Sequence, residues 1–358
     1  MKNKIISITF MIFLIFISIL NVVSPVLEVS FAERRHLKQF DDFDLNDFLS
    51  GQFIEDFEEV ALDQFIFRDR FRNLKAILEF EIFNKTDNNN IVVTDDGVFK
   101  IEYPLNEQSV EHLSDYIDDI YNEYLKNSNV YSSIIPDKNY YLEEDILKID
   151  YERLEELLMS DLKGMTYIDI KEQLSLEDYY LTDPHWKQEN LSEVIKRLSD
   201  AMDFEIVEKD YETKVFFPFY GAYYGQSALN VIPDTLTYLY NENILNAIVE
   251  NYEDADHIKI YDELKLDDMD AYDVFLSGSS PLITIENPDA KQDRELIIFR
   301  DSFSSSLAPL LVESYSKITL VDLRYMSKDL LNEYVDFEDK DVLFMYSTSI
   351  VNNSNILK

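Results

Sequence analysis

From residue 106 onward, helical and extended segments alternate, and this rhythm limits the available folds more than any other feature of the sequence. "NEQSVEHLSDYIDDIYNEYLKN" has apolar residues at helical spacing and leads into the short strand-like run "VYSSIIP". A helix near 150–159 precedes the strand "MTYIDI", and "QENLSEVIKRLSDAM" is helical again. The rhythm returns in "ELIIFRDSFSSSLAPLLVESYSKITLVDL" and closes on the strand "VLFMYSTSIV". Helices that alternate with short apolar strands predict an α/β fold, a mainly parallel central sheet flanked by helices. The interruption at about residues 204–290 contains "KVFFPFYGAYYGQS" and "HIKIYDELKL" and reads as an insertion with β character. A hydrophobic content of 46% with 14% aromatic residues is enough for a packed core despite the heavy charge.

The chain before residue 106 reads differently. Residues 33–53, "ERRHLKQFDDFDLNDFLSGQF", are polar and aromatic and read as an extended linker. In residues 56–83, Val60, Phe65, Phe67, Phe71, Leu74, Leu78 and Ile82 form a stripe at helical spacing. "NKTDNNN" breaks the chain, and "IVVT" and "VFKIEY" about the turn signal "DDG" predict a small hairpin. The expected boundaries are therefore an N-terminal segment 1–32, a linker, helix and hairpin over 33–105, and an α/β domain over 106–358.

Residues 5–27 carry no charge and follow Lys2 and Lys4. As a helix this run rises roughly 34 Å, against about 30 Å for a hydrocarbon core. The two lysines mark the cytoplasmic side, so an uncleaved anchor places the rest of the chain outside. A cleaved signal peptide is the competing reading, because "SFA" puts small residues just ahead of Glu33. Both readings put the body of the protein outside the cytoplasm. The net charge of −39 and pI near 4.2 repel polyanions and argue against a nucleic-acid partner. By itself the acid excess reads as a solvated surface. The absence of cysteine excludes disulfides, thiol catalysis and Cys-ligated metals, so packing alone must hold the fold.

Two segments carry candidate chemistry. In "LIIFRDSFSSSLAPLL" an apolar strand runs into a polar turn and then a helix, which places Ser302 at a strand's carboxyl end and a helix N-terminus. Free N–H groups there suit a developing oxyanion, while Asp301, Ser302 and Ser304 are equally good helix caps. In "YYLTDPHWKQEN", Asp183 and His185 lie two apart, and Pro184 stiffens the segment and favours an extended Asp183. Side chains at i and i+2 of an extended segment share a side, so Asp183 can hold the His185 imidazole while a serine meets its other nitrogen. The plainer reading has Asp183 capping the next helix and His185 on the surface. No third ligand has the spacing for a metal site, and none is expected.

Six segments in order sharpen this reading: "SGQFIEDFEEVALDQFIFRDRFRNLKA", "IIPDKNYY", "YYLTDPHW", "FYGAYYGQS", "IIFRDSFSSSLAPLL" and "DVLFMYSTSIVNNS". Together they resemble the DHHW protein family of Firmicutes, which is related to SGNH-like alginate O-acetyltransferases of exopolysaccharide systems. The resemblance implies an SGNH hydrolase-like domain and a triad of Asp183, His185 and Ser302. It further implies acyl transfer to a polysaccharide acceptor with no cofactor, the acyl group coming from a membrane-bound O-acyltransferase partner. A carbohydrate esterase with the same triad and a non-catalytic glycan-binding or scaffold protein are the alternatives. Pro184 stands where the family name has His, and Arg300 where the SGNH block commonly has Gly. Arg300 so placed narrows the site or binds an anionic group. Further candidates are Gly221 as a second oxyanion donor or a turn glycine, and Lys138 at the cleft or solvated. Trp186 is expected to fix His185, face a sugar ring or pack in the core; Asn352 and Asn353 lie at the site edge or in a turn.

Overall fold

The computed structural model describes residues 2–40, 45–143, 146–207, 210–253 and 259–358. The chain forms two compact units, Met1–Asn89 with Tyr224–Val231, and Asn90–Tyr223 with Ile232–Lys358.

In the first unit the apolar run is a helix, Lys2–Val23, with no buried residue. It ends short of the expected Leu27, just before Pro25, which has no N–H to continue the ladder. Residues 33–53 hold more structure than a linker: Arg35–His36 pairs with Val29–Ser30, and Leu45–Ser50 is helical. Residues 41–44 of that segment lie outside the described residues. The stripe over 56–83 falls on two helices, Gln52–Asp63 and Arg68–Ile77, the second continued by a π-helical turn Leu78–Ile82; an elbow in which Phe67 takes a left-handed φ of 61° separates the two. Gln64 holds this elbow, accepting from Leu27 N at 2.9 Å and donating to Leu27 O at 2.9 Å. Arg35 and the Lys38 N–H both bind Asp63, and the Arg35 guanidinium holds that carboxyl down at about 2. Of the stripe, Val60 is buried, whereas Phe67, Phe71, Leu74 and Ile82 are exposed.

The second unit is built on a seven-stranded sheet. Its strands are β1 (Asn129–Ile135), β2 (Thr166–Tyr167), β3 (Ile248–Asn251), β4 (Leu282–Glu286), β5 (Glu295–Arg300), β6 (Lys317–Val321) and β7 (Asp341–Ser347), in the order β2-β1-β7-β5-β6-β4-β3. The first five in that order run parallel, and β4 is antiparallel to both β6 and β3. Alternation along β5 sorts the two faces: Leu296 and Ile298 enter one core, Ile297 and Phe299 the other. Helices α1 (Glu107–Ile120) and α2 (Tyr151–Asp161) cover the Ile297 face, with Leu113, Ile117, Leu154 and Leu158 buried there. Helices α3 (Ser192–Met202) and α4 (Ser304–Leu311) cover the other, through Val194, Leu198 and Leu307. Asn106 and Asp150 cap α1 and α2 by accepting from Ser109 N and Arg153 N.

The expected hairpin forms from Ile91–Thr94 and Gly97–Lys100. Within residues 204–290, Glu212–Phe219 pairs with Asp234–Tyr240 as a separate hairpin. β3 and β4 instead join the main sheet, where Leu282 pairs with Val321 and Glu286 with Lys317. Residues 208–209 and 254–258, the last including the start of "HIKIYDELKL", lie outside the described residues.

Candidate active site

β5 is the central strand of the seven and delivers Asp301 and Ser302 at its carboxyl end, between the ends of its parallel neighbours β6 and β7. Asp301 is buried and its carboxylate is spent on the turn: Oδ1 accepts from Phe303 N at 3.0 Å and Oδ2 from Ser347 N at 2.7 Å. One acid thus closes the turn and ties it to the end of β7. Ser302 stands partly exposed at the tip, and its backbone N–H meets no acceptor among the described residues.

The Asp183 loop closes on itself. Tyr179 and Trp186 form an antiparallel bridge, Tyr180 N donates to His185 O at 3.1 Å, and Lys187 N donates to Asp178 O at 2.7 Å. The segment is a tight bend about Pro184, not the extended run expected. Asp183 and His185 still share a side, because Asp183 Oδ1 accepts both from His185 N at 3.1 Å and from His185 Nδ1 at 2.6 Å. Asp183 is fully buried, and its Oδ2 accepts from Ala222 N at 2.8 Å. An Nδ1 that faces a carboxylate carries the proton, so Nε2 is the free acceptor. Nε2 lies 2.8 Å from Ser302 Oγ, so the three residues form one hydrogen-bonded chain. The Tyr272 ring stacks on the imidazole with centroids 3.8 Å apart and planes 7° from parallel, and Phe303 lies 4.7 Å away on a tilt. Such packing fixes the ring plane and keeps Nε2 aimed at Ser302 Oγ.

Several residues singled out from the sequence have other duties. Gly221 is not a free oxyanion donor: its N–H is spent on Thr182 Oγ1 at 2.9 Å. It is glycine for space, since a Cβ there would meet Thr182 O at 2.2 Å, and this close approach seats Ala222 N–H on Asp183. Trp186 is fully buried and offers no face to a sugar; its Nε1 donates to Phe303 O and Ser306 Oγ, pinning the loop to α4. Arg300 is fully buried, so it reaches no bound anion in the cleft; its Nη1 donates to Ser305 Oγ at 2.5 Å. Burial pushes its guanidinium below the ordinary value, against the pull of Asp322.

Lys138 is neither solvated nor in the cleft. It is buried, its Nζ donates to Tyr180 O and Leu181 O at 2.9 Å each, and it lies over the Phe99 and Tyr223 rings. Burial lowers it to about 8. Asn352 is used on the chain before α1, accepting from Asn106 N and donating to Pro104 O, while Asn353 donates to Ser349 O. Sequence reasoning missed Asp234, whose carboxylate accepts from Leu181 N at 2.6 Å and from Thr182 N at 2.7 Å. Lys138 on the carbonyls and Asp234 on the N–H groups clamp the backbone just before Asp183. Among the described residues no group of three His, Asp or Glu side chains is placed to hold a metal ion.

A family model described as DHHW protein matches residues 162–321, a span that includes Asp183, His185 and Ser302. No curated protein matches the sequence. Among solved structures, a DHHW family protein from Eubacterium siraeum is 21% identical, with 75% of this chain and 94% of that one covered at a TM-score of 0.61. Bacillus cereus PatB1, solved with a sulfonyl adduct, is 18% identical over 73% of this chain and 95% of its own, at 0.59. The O-acetyltransferase domain of Pseudomonas putida AlgJ is 13% identical over 74% and 93%, and its TM-score of 0.45 adds nothing to the fold assignment. The chain is similar to the DHHW proteins and shares the α/β fold of the Eubacterium siraeum and Bacillus cereus structures.

Proposed function

We propose that the protein is a serine-dependent O-acyltransferase, with acetyl as the acyl group and a polysaccharide outside the cytoplasm as acceptor. The observation that carries this reading is the hydrogen-bonded chain from Asp183 through His185 to Ser302 at the carboxyl edge of a parallel sheet. Ser302 Oγ attacks the acyl carbonyl carbon as His185 Nε2 takes its proton. The unengaged Ser302 N–H meets the oxyanion. The leaving group departs with the proton from the imidazolium, which leaves an acyl-serine. A sugar hydroxyl then attacks the ester carbonyl, His185 accepts its proton, and the proton returns to Ser302 Oγ as the C–O bond to serine breaks. Asp183 holds the tautomer and offsets the charge on the imidazolium.

The helix Lys2–Val23 supports membrane anchorage with the second unit outside, Lys2 and Lys4 being the cytoplasmic flank. The resemblance to acetyltransferases of exopolysaccharide systems supports a polysaccharide acceptor and a membrane-bound acyl donor. An aryl sulfonyl fluoride tests the nucleophile, since it transfers its sulfonyl group to an activated serine with loss of fluoride. The expected result is one adduct, mapped to Ser302 and absent in Ser302→Ala and His185→Ala. A folded parent that takes no label sinks the mechanism and favours a scaffold. If acetyl release from an aryl acetate is unchanged by sugar acceptors, the protein is an esterase.

A further inference from the structure

The helix Arg68–Ile77 in the first unit is built inside out. Phe67, Phe71, Leu74 and Leu78 fall at i, i+4, i+7 and i+11 and form one stripe along it. The first three are 53%, 52% and 50% exposed, which is unusual for side chains aligned so well. The opposite side carries the inward contacts: Ala76 is buried, Arg72 donates to Gly225 O, and Asn73 donates to Ala228 O, both at 2.8 Å. A soluble amphipathic helix would turn its phenylalanines inward and its polar groups to water.

Charge sets the same helix apart. "RDRFRNLKAI" has four basic residues and one acid, in a chain whose net charge is −39. Arg68 and Arg72 are engaged with Glu33. Arg70 and Lys75 are exposed and flank the apolar stripe on its two sides, and the Arg70 guanidinium leans over the Phe67 ring at 5.3 Å. The one acid, Asp69, lies on the side away from the stripe.

The position of this helix identifies what covers it. Asn21, in the last turn of Lys2–Val23, accepts from Ile66 N at 2.8 Å. Gln64 at the same elbow is bonded to Leu27 in both directions. A 22-residue helix rises about 33 Å, so Asn21 lies where the hydrocarbon core of about 30 Å ends. The elbow, and the helix that starts from it, are held at that level.

We propose that Arg68–Ile77 lies in the interface of the membrane that Lys2–Val23 spans, with Phe67, Phe71 and Leu74 among the acyl chains and Arg70 and Lys75 on anionic headgroups. The inference rests on reading Lys2–Val23 as a span. It gives the first unit a second attachment to the bilayer, which fixes its tilt as a single spanning helix cannot.

The native chain lacks cysteine, so single substitutions report cleanly. The full chain is reconstituted in vesicles of phosphatidylglycerol and phosphatidylcholine with an environment-sensitive dye at Ile12→Cys, Leu74→Cys or Glu193→Cys. Glu193 is exposed on α3 in the second unit and serves as the aqueous reference. The expected result is blue-shifted emission at 12 and 74, quenching by lipids with a nitroxide on the acyl chain, and iodide quenching several-fold weaker than at 193. Adding Arg70→Glu and Lys75→Glu should return the label at 74 toward water. A label at 74 that meets iodide as freely as at 193, while 12 stays in lipid, overturns the interfacial helix and leaves the span standing. Water at both 12 and 74 overturns both. Protection from iodide at 74 without nitroxide quenching shows a protein cover, such as a second copy, and also overturns the proposal.

Discussion

Among its contacts, the two oxygens of Asp183 accept from three N–H groups: His185 N and Nδ1 on one side, Ala222 N on the other. An Asn at 183 has one acceptor oxygen, so whichever way the amide turns, either the His185 Nδ1–H or the Ala222 N–H faces an NH2 group. Asp183→Asn is therefore expected to slow sulfonylation of Ser302 by up to about 10⁴, the scale seen when a triad carboxylate is lost. It should also destabilise the fold by about 1–3 kcal/mol, the cost of a buried unpaired group. A labelling rate equal to the parent's would show that Asp183 is only structural. Gly221 gives a different test, because nothing of its own reaches the reacting atoms. In Gly221→Ala the new Cβ must push against Thr182 O, 2.2 Å from its ideal position. The loop then backs off from Asp183, and about 1–3 kcal/mol of stability goes with it. Slower labelling with a lowered denaturation midpoint is the expected pair. A change in neither would mean that the 220s loop is free to move.

Among the elements, the bend over residues 179–186 is the one on which the site depends, and it is held from outside. Lys138, from the segment that follows β1, takes the carbonyls of Tyr180 and Leu181; Asp234, from the separate hairpin, takes the N–H groups of Leu181 and Thr182. The Lys138 ammonium is lowered to about 8 by burial, below its ordinary 10.5. A depressed cation contributes stability that is complete above the unfolded value and lost as pH falls through the folded one. The advantage of the parent over Lys138→Met in urea midpoint should therefore grow as pH rises from about 8 to 10.5. A difference that is flat across that window would mean that the lysine titrates as if exposed. These clamps also show where reading the sequence stops. Ser302 was legible because strand, turn and helix are contiguous, and Asp183 and His185 because they are two apart. The Lys138 and Asp234 contacts join residues 42 to 53 positions apart, and no local pattern encodes them. Gly221 was found for the wrong reason: its glycine matters through the Cβ it lacks, not through its N–H.

For the whole molecule, period and charge were the readable quantities. Alternating runs after residue 106 became the parallel sheet, since each strand supplies both faces of a two-sided core. The stripe over 56–83 was legible only as an apolar face, because helical spacing does not tell what that face meets; four of its members face outward. Charge leads to the last expectation. With 71 acidic residues against 32 basic, the folded chain repels itself, and no disulfide resists that repulsion. At about 0.01 M salt the screening length is about 30 Å, so acids across a unit still act on one another; at about 0.15 M it is about 8 Å. Salt also weakens the surface ion pairs, such as Lys317 with Glu286 and Lys328 with Asp119, but exposed pairs contribute only about 0–1 kcal/mol each. The repulsion is long-ranged and summed over many acids, so its relief should outweigh the lost pairs. Thermal melts of the full chain in a nonionic detergent should therefore move to higher temperature as sodium chloride is raised between those concentrations, and a reductant should change nothing. A melting temperature that falls with salt would mean that the basic residues are placed well enough to make the charge network net stabilising.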